Sequence, residues 1–228
     1  MEQAIIFDMD GVIIDSNPYH KISWEHFLVK NGHPFNDEIF DNIISGKTGS
    51  TSIRLLLGYD LSEEIAAGYL KEIDEDFQDI LRQAKDVEPT PGLPAFLQSI
   101  RSAGYQTALA TSAPPGNVDL TLEKTNLRKY FDVILDKTDV TNGKPDPEVY
   151  LNAVNRLGTE KDRCMVFEDS RAGIQSAISA GLRVIGVTTG HSRKELLEEG
   201  VAMVIDDFQN LRLEEVMSLP AINSSKQL

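Results

Sequence analysis

Short apolar, β-branched runs alternate along this chain with longer amphipathic segments. The runs fall at 4–7, 105–111, 132–135, 164–168 and 183–187, with a fainter one at 202–205, and each reads as a buried strand. Segments with helical spacing lie between and beside the later runs, near 93–103, 115–126, 146–157, 170–180 and 192–199. Strands that alternate with helices of this length call for right-handed crossovers, and hence for a parallel sheet covered on both faces. The fold class predicted is α/β, a doubly wound parallel sheet.

One interval breaks the rhythm. About ninety residues with almost no strand signal separate the first two runs, far more than a crossover needs. They are expected to form a separate body, a small helical bundle over 17–85 inserted after the first strand, with 1–16 and 86–228 forming the sheet-bearing core. Asn17-Pro18 is expected to open its first helix, as N-cap and first helical residue. Ile65, Tyr69, Ile73, Phe77, Ile80 and Ala84 fall on one stripe of a long helix, and Glu88-Pro-Thr-Pro91-Gly92 reads as the return hinge. The tail after Pro220 is expected to fray.

Composition narrows the partners. With 228 residues and 41% hydrophobic content the chain can bury a full core. A formal net charge of −14, with no run rich in Lys or Arg, repels nucleic acid and anionic membranes. The single cysteine, Cys164, lies in an apolar run and reads as a small core residue. No basic segment followed by an apolar stretch opens the chain, and no run approaches the length of a membrane span. A cytoplasmic protein that acts as a monomer on a small metabolite is the expectation.

Ligands in doubly wound sheets bind at the carboxyl ends of the strands, and those ends carry unusual chemistry here. The first strand ends in Asp8-Met-Asp10-Gly11, and the period of two sends both carboxylates to one side as the chain leaves the sheet. Asp and Gly also make ordinary turns, so this segment alone decides nothing. The strand at 105–111 ends in Thr111-Ser112-Ala113, a hydroxyl followed by amides entering a helix. Glu168-Asp169-Ser170 closes the strand at 164–168, and Lys144 sits in Gly143-Lys-Pro-Asp-Pro147 just before a helix. Each piece has a structural use, as cap or loop residue. Together they supply a nucleophile, an oxygen site for Mg²⁺, an anion cradle and a cation, the inventory of phosphoryl transfer.

Asp8-Met-Asp10-Gly-Val, Thr111-Ser-Ala, Lys144-Pro-Asp-Pro and Glu168-Asp169-Ser resemble, in order and spacing, the four motifs of the haloacid dehalogenase superfamily. The resemblance covers nearly the whole chain and implies a Rossmann-like core with an inserted α-helical cap domain. Gly173-Ile-Gln-Ser-Ala-Ile-Ser-Ala-Gly181 resembles the subgroup holding the β-phosphoglucomutases and small sugar-phosphate phosphatases. It implies that Asp8 is the nucleophile that becomes an aspartyl phosphate, and that Asp10 is the acid–base residue whose carbonyl also helps bind metal. Asp8, Asp10, Asp169 and Glu168 would hold Mg²⁺, while Thr111, Ser112, Ala113 and Lys144 would grip the phosphoryl group. True dehalogenases of the superfamily lack the second aspartate, so Asp10 argues for phosphate chemistry.

The cap is expected to choose the substrate, through His20, Lys47 and Ser52. His20 sits where β-phosphoglucomutases carry a histidine that contacts substrate and acid–base aspartate. Gly49 stands where those mutases carry an arginine, and Lys47 is the nearest replacement. Gly46-Lys47-Thr48 mimics the tail of a phosphate-binding loop, yet Asp41 occupies the place of its first glycine and no strand precedes it. The expected function is a Mg²⁺-dependent phosphohydrolase acting on a small phosphorylated metabolite, foremost a sugar phosphate. A β-phosphoglucomutase-like transferase is the alternative. A non-enzymatic phospho-aspartate receiver is a remote third, since receivers need about half this length and have no cap.

Overall fold

Six short parallel strands carry the molecule, in the order β3-β2-β1-β4-β5-β6. The computed structural model describes residues 3–45 and 47–219. Gly46 and the tail beyond Pro220 therefore lie outside the described residues. After β1 (Ala4–Phe7) come α1 (Asn17–Lys30), the short turn α2 (Asp37–Ile39), a wider π turn over Phe40–Ile44, α3 (Gly49–Leu57) and the long α4 (Glu63–Gln83). The alternating half follows as α5 (Leu93–Ser102), β2 (Gln106–Ala110), α6 (Pro115–Thr125), β3 (Val133–Leu135) and α7 (Glu148–Leu157). It continues as β4 (Cys164–Glu168), α8 (Arg171–Ser179), β5 (Arg183–Val187), α9 (Arg193–Glu198), β6 (Met203–Ile205) and α10 (Leu213–Met217). This is the doubly wound α/β class expected, with helices inserted after β1.

The strands read as unbroken apolar runs because both faces of the sheet are covered. Ile5, Phe7, Leu109, Met165, Phe167 and Ile185 pack with α5 and α10 on one face. Ala4, Ile6, Ala108, Cys164, Val166 and Val184 pack with α7, α8 and α9 on the other. Phe7 and Phe167 stack with ring centroids 5.1 Å apart, and each immediately precedes a carboxylate at its strand tip. Such a pair contributes about 0.5–1.5 kcal/mol beyond its buried area and fixes the two tips against each other.

The inserted helices have a core of their own, built from Trp24, Phe27 and Leu28 of α1, Phe40 and Ile44 of the π turn, Ile53 of α3, and Ala66 and Ile73 of α4. The long helix departs from the expected stripe. Ile65 is 47% exposed, whereas Ala66, Ile73, Phe77 and Leu81 are buried. The reason is that α4 faces two bodies. Ile73 joins the inserted core, while Phe77 and Leu81 join the cluster under the sheet. Ser16, not Asn17, occupies the N-cap of α1, with Pro18 in the first turn. The return hinge is pinned where expected, because the Thr90 amide donates to the Ile13 carbonyl at 2.8 Å and its hydroxyl to the Val12 carbonyl at 2.7 Å.

Candidate active site

The chain leaves β1 for β2 on one side and later returns to β4 on the other, so the strand order reverses at β1. A crevice opens at such a point beyond the carboxyl ends. Asp8 follows β1, Glu168 and Asp169 close β4, and Thr111 follows β2. A cavity of about 710 Å³ lies over Asp8, Asp169 and Thr111, walled by α1, α3 and α4 on the far side.

Lys144 enters from the loop before α7 and is 5% exposed. Its ammonium donates to Asp8 Oδ1 at 2.6 Å, Glu168 Oε1 at 2.7 Å and the Ala110 carbonyl at 3.2 Å, which uses all three of its protons. Burial works to lower the pKa of Lys144, but Asp8 and Glu168 outweigh it and hold the ammonium well above its ordinary value. Glu168 is fully enclosed. Its Oε1 also accepts from the Tyr150 hydroxyl at 2.9 Å, and its Oε2 accepts from the amides of Asp169 and Ser170, both at 2.9 Å, and from the Ser170 hydroxyl at 3.0 Å. Both carboxylate oxygens of Glu168 thus accept hydrogen bonds. Asp8 and Asp169 keep oxygens open to the crevice.

Oxygens of Asp8, Glu168 and Asp169 lie within 4.8 Å of one another, all buried. Three carboxylates face one ammonium there, an imbalance that protons or a cation must relieve. Burial first, then Lys144 against the neighbouring carboxylates, leaves Asp8 at about 7. Burial, Glu168, Asp8 and Asp10 push Asp169 well above the usual carboxylate range. An oxygen-only donor set under this strain suits a hard divalent cation such as Mg²⁺. The sign of the pH effect follows. A carboxyl raised in the folded state favours folding in its protonated form, so the chelator-treated protein should lose stability as pH rises from about 4 through 7. Mg²⁺ displaces those protons and should raise Tm more at pH 8 than at pH 6. Equal thermal shifts at both pH values would contradict this site.

Asp10 faces elsewhere. The turn after β1 closes with the Gly11 amide donating to the Ile14 carbonyl at 2.8 Å, and Gly11 adopts φ +75°. A Cβ at Gly11 would also lie 2.0 Å from Asp169 Oδ2, so only glycine lets the turn pass the acidic pair. The turn aims the Asp10 carboxylate at α1, where His20 Nε2 lies 3.3 Å from Oδ1. Burial pushes the Asp10 pKa up, but hydrogen bonds from His20 and Ser16 and the His20 charge bring it below its ordinary value. His20 in turn stacks on Phe77 of α4, with centroids 4.2 Å apart.

The remaining expected residues divide. Thr111 is buried and its hydroxyl accepts the Ala113 amide at 3.1 Å, while Ser112 lines the cavity beside them. Lys47 and Ser52 also line it, but the Lys47 ammonium donates to the Asn42 carbonyl at 2.6 Å. The Ser52 hydroxyl is turned to the Ile43 carbonyl at 2.9 Å. Sequence reasoning missed Tyr150, and it has no signal for Thr189, His191, Asp74, Asn117 or Lys137, all of which the fold brings to the site. Tyr150 follows Lys144 closely enough to have been suspected, since α7 starts between them.

Among known proteins, the family model of haloacid dehalogenase-like hydrolases matches residues 5–187. The chain belongs to this family. A phosphorylated carbohydrates phosphatase of Thermotoga maritima is 31% identical over 218 residues, spanning 94% of this chain and 100% of that one. The β-phosphoglucomutase of Bacillus subtilis is 28% identical over 218 residues, spanning 93% and 92%. The crystal structure of a family IA, variant 3 hydrolase from Entamoeba histolytica superposes with a TM-score of 0.88 at 30% identity, covering 95% of this chain and 98% of that one. Among the described residues no helix is long and apolar enough to cross a membrane.

Proposed function

We propose that this protein is a Mg²⁺-dependent phosphohydrolase acting on a small phosphorylated metabolite, foremost a sugar phosphate, with residues 17–85 as its cap. The observation that carries this reading is the meeting of Asp8, Lys144 and Asp169 at one end of a roomy cavity, with the Asp10–His20 pair beside them. Asp8 Oδ attacks phosphorus as the ester P–O bond breaks, and Asp10 gives its proton to the departing oxygen. Water then attacks the aspartyl phosphate, Asp10 takes the proton, and Asp8 is restored. Asp10 rests ionised because His20 holds it low, which readies it as the base. The charge of an arriving phosphate raises that pKa, so that Asp10 takes up a proton from solvent before the P–O bond breaks and regains one from the attacking water in the second step. Mg²⁺ would be held by Asp8 and Asp169 with the Asp10 carbonyl, and would supply the charge that lets a carboxylate approach an anionic phosphate. Glu168 fixes Lys144 and the start of α8 for that purpose.

A mutase reading is favoured by the His20–Asp10 contact and by the Bacillus subtilis relative. It needs a firm grip on a second phosphate. A Cβ at Gly49 would lie 2.7 Å from Leu70 Cδ2, so the position that would carry the arginine is closed unless Leu70 moves. Lys47 is already tied to Asn42. We expect one phosphate released per substrate with no bisphosphate activator. Incubation with β-glucose 1-phosphate and a trace of the 1,6-bisphosphate, with assays for glucose 6-phosphate and free phosphate, tests this. Rapid isomerisation with negligible phosphate release overturns it, and Lys47→Ala would then be expected to lose that activity.

A further inference from the structure

Asp74 stands out in the cavity wall. It lies on α4, and among the described residues it is the one carboxylate that the inserted helices contribute to the lining. It takes no part in the phosphoryl chemistry above. Its orientation is built by a relay across the seam between α4 and α6. The Gln78 amide donates to Asn117 Oδ1 at 2.9 Å, which turns the Asn117 Nδ2 toward Asp74 Oδ1 at 3.4 Å. Asn117 is 1% exposed at the centre of this relay, with Gln78 and Asp74 half-buried on either side. Residue 116 is glycine, and a Cβ there would lie 2.6 Å from Gln78 Nε2, so a larger residue would displace the Gln78 amide. Among the described residues no donor reaches Asp74 Oδ2.

Resting on the phosphohydrolase reading, we propose that Asp74, oriented by Asn117 and Gln78, is a specificity-determining carboxylate that accepts hydrogen bonds from hydroxyl groups on the substrate's carbon skeleton. A carboxylate offers paired acceptors that match vicinal hydroxyls, and it repels a carrier that brings a second anion to the same place. A half-enclosed acceptor left unmatched is costly, so a ligand without hydroxyls forfeits binding there. The environment agrees with a carboxylate kept from bulk water. Burial raises the Asp74 pKa, tempered by the charges of Lys137 and His20 and the Asn117 hydrogen bond, while Asp10 adds to the rise. The substrate class that fits is a phosphate ester of a neutral, polyhydroxylated carrier, with the ester at Asp8 and the hydroxyls reaching α4.

The test compares kcat/KM for the preferred member of a panel of hexose and pentose monophosphates with kcat/KM for p-nitrophenyl phosphate, which has no hydroxyls. Asp74→Ala should lower the ratio of the two about tenfold or more, mainly through KM for the sugar phosphate. Asp74→Asn keeps the shape and should lower the ratio less. It also carries the test if the alanine variant does not fold. An unchanged ratio, or a proportional loss on both substrates, overturns the inference while leaving the phosphohydrolase reading intact. If the unaltered enzyme releases phosphate from none of these esters, the function reading falls and this inference falls with it.

Discussion

Asp8→Asn should abolish turnover, to the limit of detection in a phosphate-release assay. The substitution keeps the shape of the side chain and removes the charge needed both to attack phosphorus and to hold a cation. It also leaves Lys144 facing Glu168 alone, since the ammonium now sits 2.6 Å from Asp8 and 2.7 Å from Glu168. The fold should survive, because the amide oxygen can still accept from Lys144 and one buried negative charge disappears from a crowded site. The check has two parts: circular dichroism to show a native fold, and phosphate release to show the loss. Full turnover by the folded variant, or by the unaltered enzyme in excess chelator, would remove Asp8 and the cation from the mechanism.

Asp10→Asn is the second large effect. General acid–base help is typically worth about 10²–10⁴ in rate, so turnover of sugar phosphates, whose alkoxides leave poorly, should fall by about a hundredfold or more. A phenolate leaves without a proton. The first step with p-nitrophenyl phosphate, followed as a burst of phenolate, should therefore slow far less. Equal slowing of the first step for both substrates would refute the leaving-group role. The Asp10 carboxylate meets the inserted helices at His20 of α1, 3.3 Å away, with Phe77 of α4 stacked behind that ring.

Much of the core was legible in the chain. The apolar runs marked β1, β4 and β5 to within a residue, because strands buried on both faces tolerate only apolar side chains. The residues at the strand tips were legible for a related reason. A carboxylate directly after such a run has nowhere to go except the end of the sheet, so Asp8, Glu168 and Asp169 declared themselves. Lys144 was found through its motif, yet its threefold hold on Asp8, Glu168 and Ala110 was not visible there. The π turn at Phe40–Ile44 and the face of α4 escaped, because an apolar pattern cannot show that a helix serves two partners.

The division has a physical root. Local composition and period decide whether a segment is strand or helix, and the topology of a doubly wound sheet then sends every strand end to one crevice. Those facts are carried by short stretches of chain, so the α/β class, the inserted helices and the acidic strand tips could be read from the sequence alone. What required the tertiary structure is every relation between distant residues whose spacing has no period. That Glu168 accepts hydrogen bonds at both oxygens, from Lys144 and Tyr150 on one and from Asp169 and Ser170 on the other, became visible only in the fold. Asp74, Gln78 and Asn117 are unremarkable polar residues until the close approach of α4 to α6 joins them by hydrogen bonds, with Asp74 and Asn117 in the cavity wall. Packing decides such contacts through shape and burial, and neither is written in any one stretch of the chain.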